Sequence, residues 1–245
     1  MDQQNHQLWV NGQERAMQCA VIVKSIQVKK ELGKRKSIDP ISEYNHCAGF
    51  IVETKGPEAY IAVHESQIDL VNTFYVSFAG GDFKLATVLL KKTDCQFVIL
   101  GASLEGEFRK VRTKKMFDRG DLLMLSAGVD NLVPLYTSII NPNTECVSVH
   151  DLHTIAGGSD DVFTFGGYTG DVVDILGAPL FARDGYLVGT VFGDESTLPE
   201  HHPEGEFCLD LKYALKAWCF LNELKNEIKG KLEPKGNKPR NNRRR

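Results

Sequence analysis

Short apolar stretches recur along most of the chain, separated by the turn-forming residues Gly, Asp, Asn and Pro. Most stretches are about five to nine residues long and show no helical period, which is typical of antiparallel β-strands. The pattern predicts strands at residues 20–28, 48–53, 59–64, 74–79, 83–91, 97–102, 122–128, 135–140, 146–152, 162–167, 178–182 and 186–193. We therefore predict an all-β fold rather than alternating strands and helices.

A charged connector at residues 105–121 divides these twelve predicted strands into six and six. Two six-stranded antiparallel β-barrels account for that division, the first at about residues 19–104 and the second at about residues 121–194. We assign the whole body to residues 19–209, preceded by an N-terminal extension at residues 1–18.

The C-terminal part of the chain has a different pattern. Apolar residues at spacings of three and four are Leu211, Leu215, Trp218, Leu221 or Leu224, and Ile228. This spacing predicts an amphipathic helix over residues 210–229, with Asp210 as a candidate N-cap and Gly230 as the stop. Residues 230–245 hold almost no apolar side chains, and we predict that this segment is disordered.

The formal net charge of −3 is unevenly distributed. Residues 229–245 carry eight Lys or Arg and one acid, which leaves 21 basic and 31 acidic residues in the other 228. The basic tail contains Lys235, Lys238, Arg240, Arg243, Arg244 and Arg245. Such a tail favours nuclear targeting, weak contact with polyanions, or solubility. It lacks the interleaved aromatic residues that stack on single-stranded nucleic acid.

Several classes of protein and site lack their sequence signals. No apolar run reaches the roughly 18 residues of a membrane helix, and the N-terminus does not resemble a secretory signal. The six cysteines include no C-x-x-C pair, so we expect free thiols in an intracellular protein, cytoplasmic or nuclear. His201, His202 and Cys208 follow no zinc spacing, so we expect no metal and no cofactor.

Three segments, in order, resemble parts of the trypsin-like serine proteases, particularly of the Do-like, high-temperature-requirement branch. The segments are "CAGFIVETKGPEAYIAVHES", "VLLKKTDCQFVIL" and "DILGAPLFARDGYLVGTV". The first is similar to the strands that precede the family's catalytic histidine, the second to the strand with its aspartate, and the third to the "G-[DN]-S-G-G-P-L" nucleophile motif. The resemblance spans roughly residues 20–193 and implies two six-stranded barrels with the site between them.

The resemblance assigns the triad positions to His64, Gln96 and Leu176. Leu176 has no lone pair with which to attack a carbonyl, and Gln96 cannot supply the charge that a carboxylate provides. Loss of the carboxylate alone costs on the order of 10⁴ in rate in an active serine protease of this type. Asp174 takes the place of the glycine whose N–H serves the oxyanion hole, and its negative charge opposes the charge that must develop there. These departures imply a degenerate, non-catalytic member.

The cleft implied by the resemblance also contains Thr169, Gly177 and Ala178. Ser126, Ser159 and Thr169 are hydroxyls that could substitute for a nucleophile, although turns are the ordinary use of such residues. His64 has two interpretations, as a remnant of a catalytic base or as a half-buried residue that satisfies a hydrogen bond. Cys47 stands where secreted relatives form a disulfide, but its implied partner position is Glu65, which favours a reduced compartment.

Three functions follow as hypotheses. The first is a pseudoprotease that binds a peptide or protein ligand in the cleft between the barrels, since strand addition uses backbone hydrogen bonds and not the triad. The second is a weak or unconventional serine-type endopeptidase. The third is a nuclear or nucleic-acid-associated protein that uses its basic tail. The sequence identifies neither the ligand nor the oligomeric state.

Overall fold

The computed structural model describes residues 3–28, 42–69, 72–91, 93, 96–114, 120–142, 162–194 and 212–233. These residues form two closed six-stranded barrels, and every strand pairing in them is antiparallel. The described part of the chain holds two α-helices, one before the first barrel and one after the second. The predicted all-β double barrel with a C-terminal helix is confirmed, and the basic tail lies outside the described residues.

The first barrel has the strand order β1-β2-β3-β6-β5-β4. Its strands are β1 (Ala20–Val28), β2 (Ser42–Lys55), β3 (Glu58–His64), β4 (Thr73–Ser77), β5 (Lys84–Leu90) and β6 (Phe97–Ser103). Strand residues alternate between two apolar clusters, because successive side chains point to opposite faces. In β1, Val21 and Val23 pack inside this barrel, while Ala20 and Ile22 join a cluster shared with the second barrel.

The second barrel has the strand order β10-β11-β12-β9-β8-β7. Its strands are β7 (Asp121–Ala127), β8 (Leu132–Asn141), β9 (Val162–Gly166), β10 (Pro179–Ala182), β11 (Leu187–Asp194) and β12 (Lys212–Lys216). The connector between the barrels is tied to both: Val111 N–H donates to the Ile51 carbonyl at 2.8 Å, and Leu187 N–H donates to the Arg112 carbonyl at 2.8 Å. The connector is therefore hydrogen-bonded to both of the barrels between which the candidate site lies.

The sixth strand of the second barrel is not the one predicted. The predicted helix start at Asp210 is wrong, since Lys212–Lys216 form β12 and the helix α2 is Ala217–Leu232, extending past Gly230. The helical spacing of Leu215 and Trp218 crosses the junction between strand and helix, and five residues are too few for strand alternation to outweigh it. Pairing decides the assignment, because β12 joins β11 to β9 and all five of its residues are buried. The predicted strand at residues 146–152 lies outside the described residues.

Residues 1–18, predicted only as an extension, contain the helix α1 (Gln3–Met17). This helix packs on the second barrel at Gly12, where a Cβ would lie 1.9 Å from the Arg183 carbonyl oxygen. Only glycine permits so close an approach of the helix to the β10–β11 turn. Ala16 of α1 and Cys19, just after the helix, are buried in the core that the two barrels share.

Candidate functional site

His64 ends β3 at the face between the two barrels, and the segment that holds Leu176 packs directly against it. Gly177 makes the contact: its φ is +76°, and a Cβ there would lie 2.3 Å from the His64 Cβ. Its N–H donates to the Val191 carbonyl at 2.7 Å, which holds the segment on β11. The structure thus places Gly177, the neighbour of Leu176, against His64.

The imidazole of His64 is held by its own turn. His64 caps the 3-10 helix Glu65–Gln67, and its Nδ1 lies 2.7 Å from the Ser66 hydroxyl and accepts the Ser66 N–H at 3.4 Å. Nδ1 of His64 is therefore occupied by Ser66, a neutral residue of its own turn. In a serine protease a carboxylate holds Nδ1 and orients the ring, while Nε2 takes the proton of the nucleophile.

Gln96 lies next to His64 in the fold but does not orient its ring. His64 pairs with Phe97 in the β3–β6 ladder, and the Gln96 carbonyl accepts the Glu65 N–H at 2.9 Å. The backbone of Gln96 has a φ of +61°, which is uncommon for a residue other than glycine. The position predicted for the triad aspartate is therefore close to the histidine, while the hydrogen-bond partner of Nδ1 is Ser66.

Asp174 lies in a second 3-10 helix, Val172–Ile175. Its N–H donates to the Asp171 carbonyl at 3.3 Å, and its φ is not positive, unlike that of Gly177. An N–H that is bonded within its own turn cannot point at a developing oxyanion. In this conformation the segment presents an exposed carboxylate where the resemblance implies a hydrogen-bond donor.

Leu176 is half-buried and packs on the core of the second barrel, in the cluster to which Tyr168 also belongs. Burial and the carboxylates of Asp174 and Asp171 raise the pKa of the Tyr168 phenol. Ala178 is buried, whereas Thr169 is exposed. Tyr168 and Ser66 were missed by the sequence reasoning, although a serine two residues after His64 is a local signal for a capping hydrogen bond.

Strand β11 extends beyond its partner β10. The β10 pairing reaches Thr190, and Val191 then bonds to Gly177 and Ala178 through its carbonyl and its N–H. Beyond Val191, Gly193 and Asp194 pair with β12 on one side, after a register shift at Phe192, and no described strand pairs with them on the other. Among the described residues, this side of β11 is therefore unpaired next to the Leu176 segment, although Gly193 itself is buried.

Burial lowers the pKa of His64, and the carboxylate of Glu65 opposes that shift. The unfolded chain binds this proton near pH 6.5, while the folded chain binds it only at lower pH. The free energy of unfolding is therefore expected to fall as the pH drops below about 6.5 and to level off below the folded pKa. Proton NMR titration between about pH 5 and 8 measures the pKa of His64 in the folded chain, and denaturant unfolding over the same range measures the free energy of unfolding.

The His64→Gln variant should lose this contribution to the pH dependence. Burial and Lys24 also lower the pKa of His46. The His46→Gln variant therefore measures how much of the pH dependence of unfolding comes from His46 and not from His64. An NMR pKa for His64 at or above the unfolded value would contradict the burial of its ring.

The other predicted site residues give few structural observations. Cys19 and Cys47 are buried free thiols, with burial raising the pKa of Cys19 to about 11 and that of Cys47 to about 12. Ser126 lies in β7 opposite Val133. Ser159, His201, His202, Cys208 and the basic tail lie outside the described residues.

Within the described ranges, no group of three potential metal ligands occurs, and neither helix is long and apolar enough to cross a membrane.

No family model matches this chain, and no curated protein is similar to it in sequence. Its structure is similar to that of the HtrA-type protease AlgW, solved with a decapeptide, with a TM-score of 0.64 and 11% sequence identity. The alignment covers 91% of this chain and 67% of that chain. At this identity the similarity shows the fold alone, and that fold is the trypsin-like double barrel.

Proposed function

We propose that this protein is a non-catalytic peptide-binding module built on the trypsin-like fold. The side of β11 at residues 192–194 that no described strand pairs with carries the proposal, because an extended peptide can add to an unpaired strand edge through backbone hydrogen bonds. The edge adjoins the segment of Leu176 and Gly177, which packs against His64. The similar HtrA-type protease was solved with a decapeptide, which supports a peptide as the class of ligand.

The site geometry supports the non-catalytic part of the proposal in three separate ways. Leu176 stands at the position that the resemblance gives to the nucleophile, the neutral Ser66 instead of a carboxylate contacts Nδ1 of His64, and the Asp174 N–H is bonded within its own turn. Each part would have to change before acyl transfer could occur, since the reaction needs the nucleophile, the base and the oxyanion donors together.

The direct test uses unfolded casein and its peptides as probes, with purified full-length protein. We expect saturable binding by fluorescence anisotropy, no cleavage products by mass spectrometry, and no adduct with a fluorophosphonate. The matched ligand control is a bound casein peptide that is N-methylated at alternate residues. This change removes backbone donors and leaves the protein untouched, and it should abolish binding.

Two results would overturn the proposal. Cleavage or labelling that disappears in the His64→Ala variant would identify a hydrolase with a substitute nucleophile. Equal binding of the N-methylated peptide would show that the ligand does not add to the edge of β11.

Restoring the nucleophile alone is expected not to restore chemistry. The Leu176→Ser variant should give no fluorophosphonate adduct, because Ser66 and not a carboxylate holds Nδ1 of His64, and Gln96 supplies no charge. The matched variant adds Ser66→Ala, Gln96→Asp and Asp174→Gly to the same background. Rapid labelling of the single Leu176→Ser variant would show that the other parts of the site are competent.

A further inference from the structure

A cavity lies away from the candidate site, between the C-terminal half of α2 and strands β2 and β3. Its volume is about 450 Å³, within the range of about 300–1,000 Å³ that is usual for small-molecule sites. The helix contributes Lys225, Lys229 and Leu232, which recur at spacings of four and three and therefore share one face of α2. The strands contribute Glu53 and Tyr60.

The strand pairing shows that the Glu53 and Tyr60 side chains face α2. The two residues are partners in the β2–β3 ladder, so their side chains lie on the same face of the sheet. Tyr60 belongs to the core cluster that contains Ile228 of α2, and Leu232 packs against that cluster. The base of the cavity is therefore apolar, and charged side chains surround it.

The charges at the cavity are not balanced. Lys55, Lys225 and Lys229 line it with Glu53 and Glu233. Both glutamates already have a lysine partner, because Lys110 Nζ donates to Glu53 Oε1 at 2.7 Å and Lys229 Nζ lies 3.7 Å from Glu233 Oε1. Lys55 and Lys225 form no ion pair with any residue that the structure describes. The cavity therefore has an excess of positive charge.

Lys225 is the half-buried member of the two lysines without an ion pair, whereas Lys55 is exposed. Burial lowers the pKa of Lys225, Lys110 lowers it further, and the carboxylate of Glu53 opposes the shift. The Lys225 ammonium thus lies in the field of a second cation, while the nearby carboxylate donates its charge to Lys110. An anionic ligand relieves this repulsion and gives the half-buried ammonium a hydrogen-bond acceptor.

We propose that this cavity binds a small monocarboxylate that carries an apolar ring or chain. The carboxylate pairs with Lys225, and the apolar part packs on Leu232 and on the edge of the Tyr60 ring. Aryl carboxylates and short fatty acids share this chemistry, whereas inorganic phosphate lacks the apolar part. The cavity shares no lining residue with the candidate site between the barrels, so its ligand is independent of the proposed peptide.

The test uses 2-naphthoate as a fluorescent probe and 2-naphthamide as a molecule of the same shape without the charge. We expect 2-naphthoate to bind the full-length protein saturably by fluorescence anisotropy, with a Kd on the order of 0.1–1 mM, as is usual for about a dozen atoms. The amide should bind roughly 3- to 10-fold more weakly. Added salt should weaken the binding of the carboxylate more than that of the amide.

The Lys225→Gln variant removes the charge and keeps most of the side-chain stem. It should weaken 2-naphthoate binding by roughly 3- to 10-fold and leave 2-naphthamide binding unaffected. Its Tm should not fall, because no ion pair of the described structure is lost and the repulsion from Lys110 is removed. The matched control is Lys231→Gln, since Lys231 is an exposed lysine of α2 that does not line the cavity. This variant should bind 2-naphthoate as the unaltered protein does.

Four outcomes would contradict the proposal. Absence of saturable 2-naphthoate binding up to about 10 mM would show that the cavity holds no such ligand. Equal affinity for the amide, or unchanged affinity in the Lys225→Gln variant, would show that the ammonium does not bind the carboxylate. Equal losses in the Lys225→Gln and Lys231→Gln variants would indicate nonspecific attraction to a basic surface. Displacement of the probe by inorganic phosphate as readily as by benzoate would show that the apolar base makes no contribution.

Discussion

Replacement of Gly177 by alanine is expected to lower the free energy of unfolding by about 3 kcal/mol, and the cost has two parts. A side chain at a φ of +76° costs roughly 1–2 kcal/mol. A Cβ at 2.3 Å from the His64 Cβ requires one of the two segments to shift, and such overpacking costs about 1–3 kcal/mol. The hydrogen bond from Gly177 N–H to Val191 limits how far the segment can move.

Gly56→Ala is the matched control for this prediction. Gly56 has a φ of +62°, but no atom lies within 4 Å of the position that a Cβ would take there. The Gly56→Ala variant therefore has the backbone cost without the clash, and we expect its free energy of unfolding to fall by about 1 kcal/mol. Urea unfolding of both variants measures the difference, and equal losses would show that Gly177 is not packed tightly against His64.

Phe220→Ala is expected to have the largest effect on stability, a loss of about 3–5 kcal/mol. Phe220 is buried where α2 meets the first barrel, with its ring centroid 5.2 Å from that of Phe97 and 6.2 Å from that of Phe50. Its removal leaves a cavity between the helix and the sheet. A loss of this size is a large fraction of the roughly 5–15 kcal/mol that stabilises a typical domain.

The same variant should alter the site. The Phe97 ring contacts His64 edge to face at 5.9 Å, so loosening of Phe97 admits water to the imidazole and raises the pKa of His64 toward its ordinary value. Phe108→Ala is the control, because Phe108 is half-buried and contacts Phe78. It should cost less stability and leave the His64 pKa unchanged. An equal change of the His64 pKa in both variants would show that Phe97 does not transmit the effect of the Phe220 substitution to His64.

Most of the fold could be predicted from local pattern. Eleven of the twelve predicted strands correspond to observed strands with shifted ends, because β-branched and aromatic runs between turn residues are a local signal. The exception at the second barrel arose at Lys212–Lys216. The helix predicted over residues 210–229 included this segment, and the structure instead pairs it as a strand, burying both lysines and giving each a partner.

The sequence indicated a candidate site but not its hydrogen bonding. Motif order indicated His64, Gln96 and Leu176, and the structure brings the segments of all three together at one face. Three features were not predicted: Ser66 as the partner of Nδ1, the internal hydrogen bond of the Asp174 N–H, and the side of β11 that no described strand pairs with. Each depends on backbone directions that several residues set together, and no single residue type encodes them.

The sequence by itself determined the strand-rich class, the division into two halves, and the chemical fact that Leu176 cannot act as a nucleophile. These follow from side-chain chemistry and from periods of two residues, which act over short distances. The tertiary structure decided which segment closes the second barrel, which residue holds Nδ1 of His64, and how closely α1 packs on the second barrel. Those outcomes depend on contacts between residues far apart in the chain, which form only when both barrels have closed around a shared core.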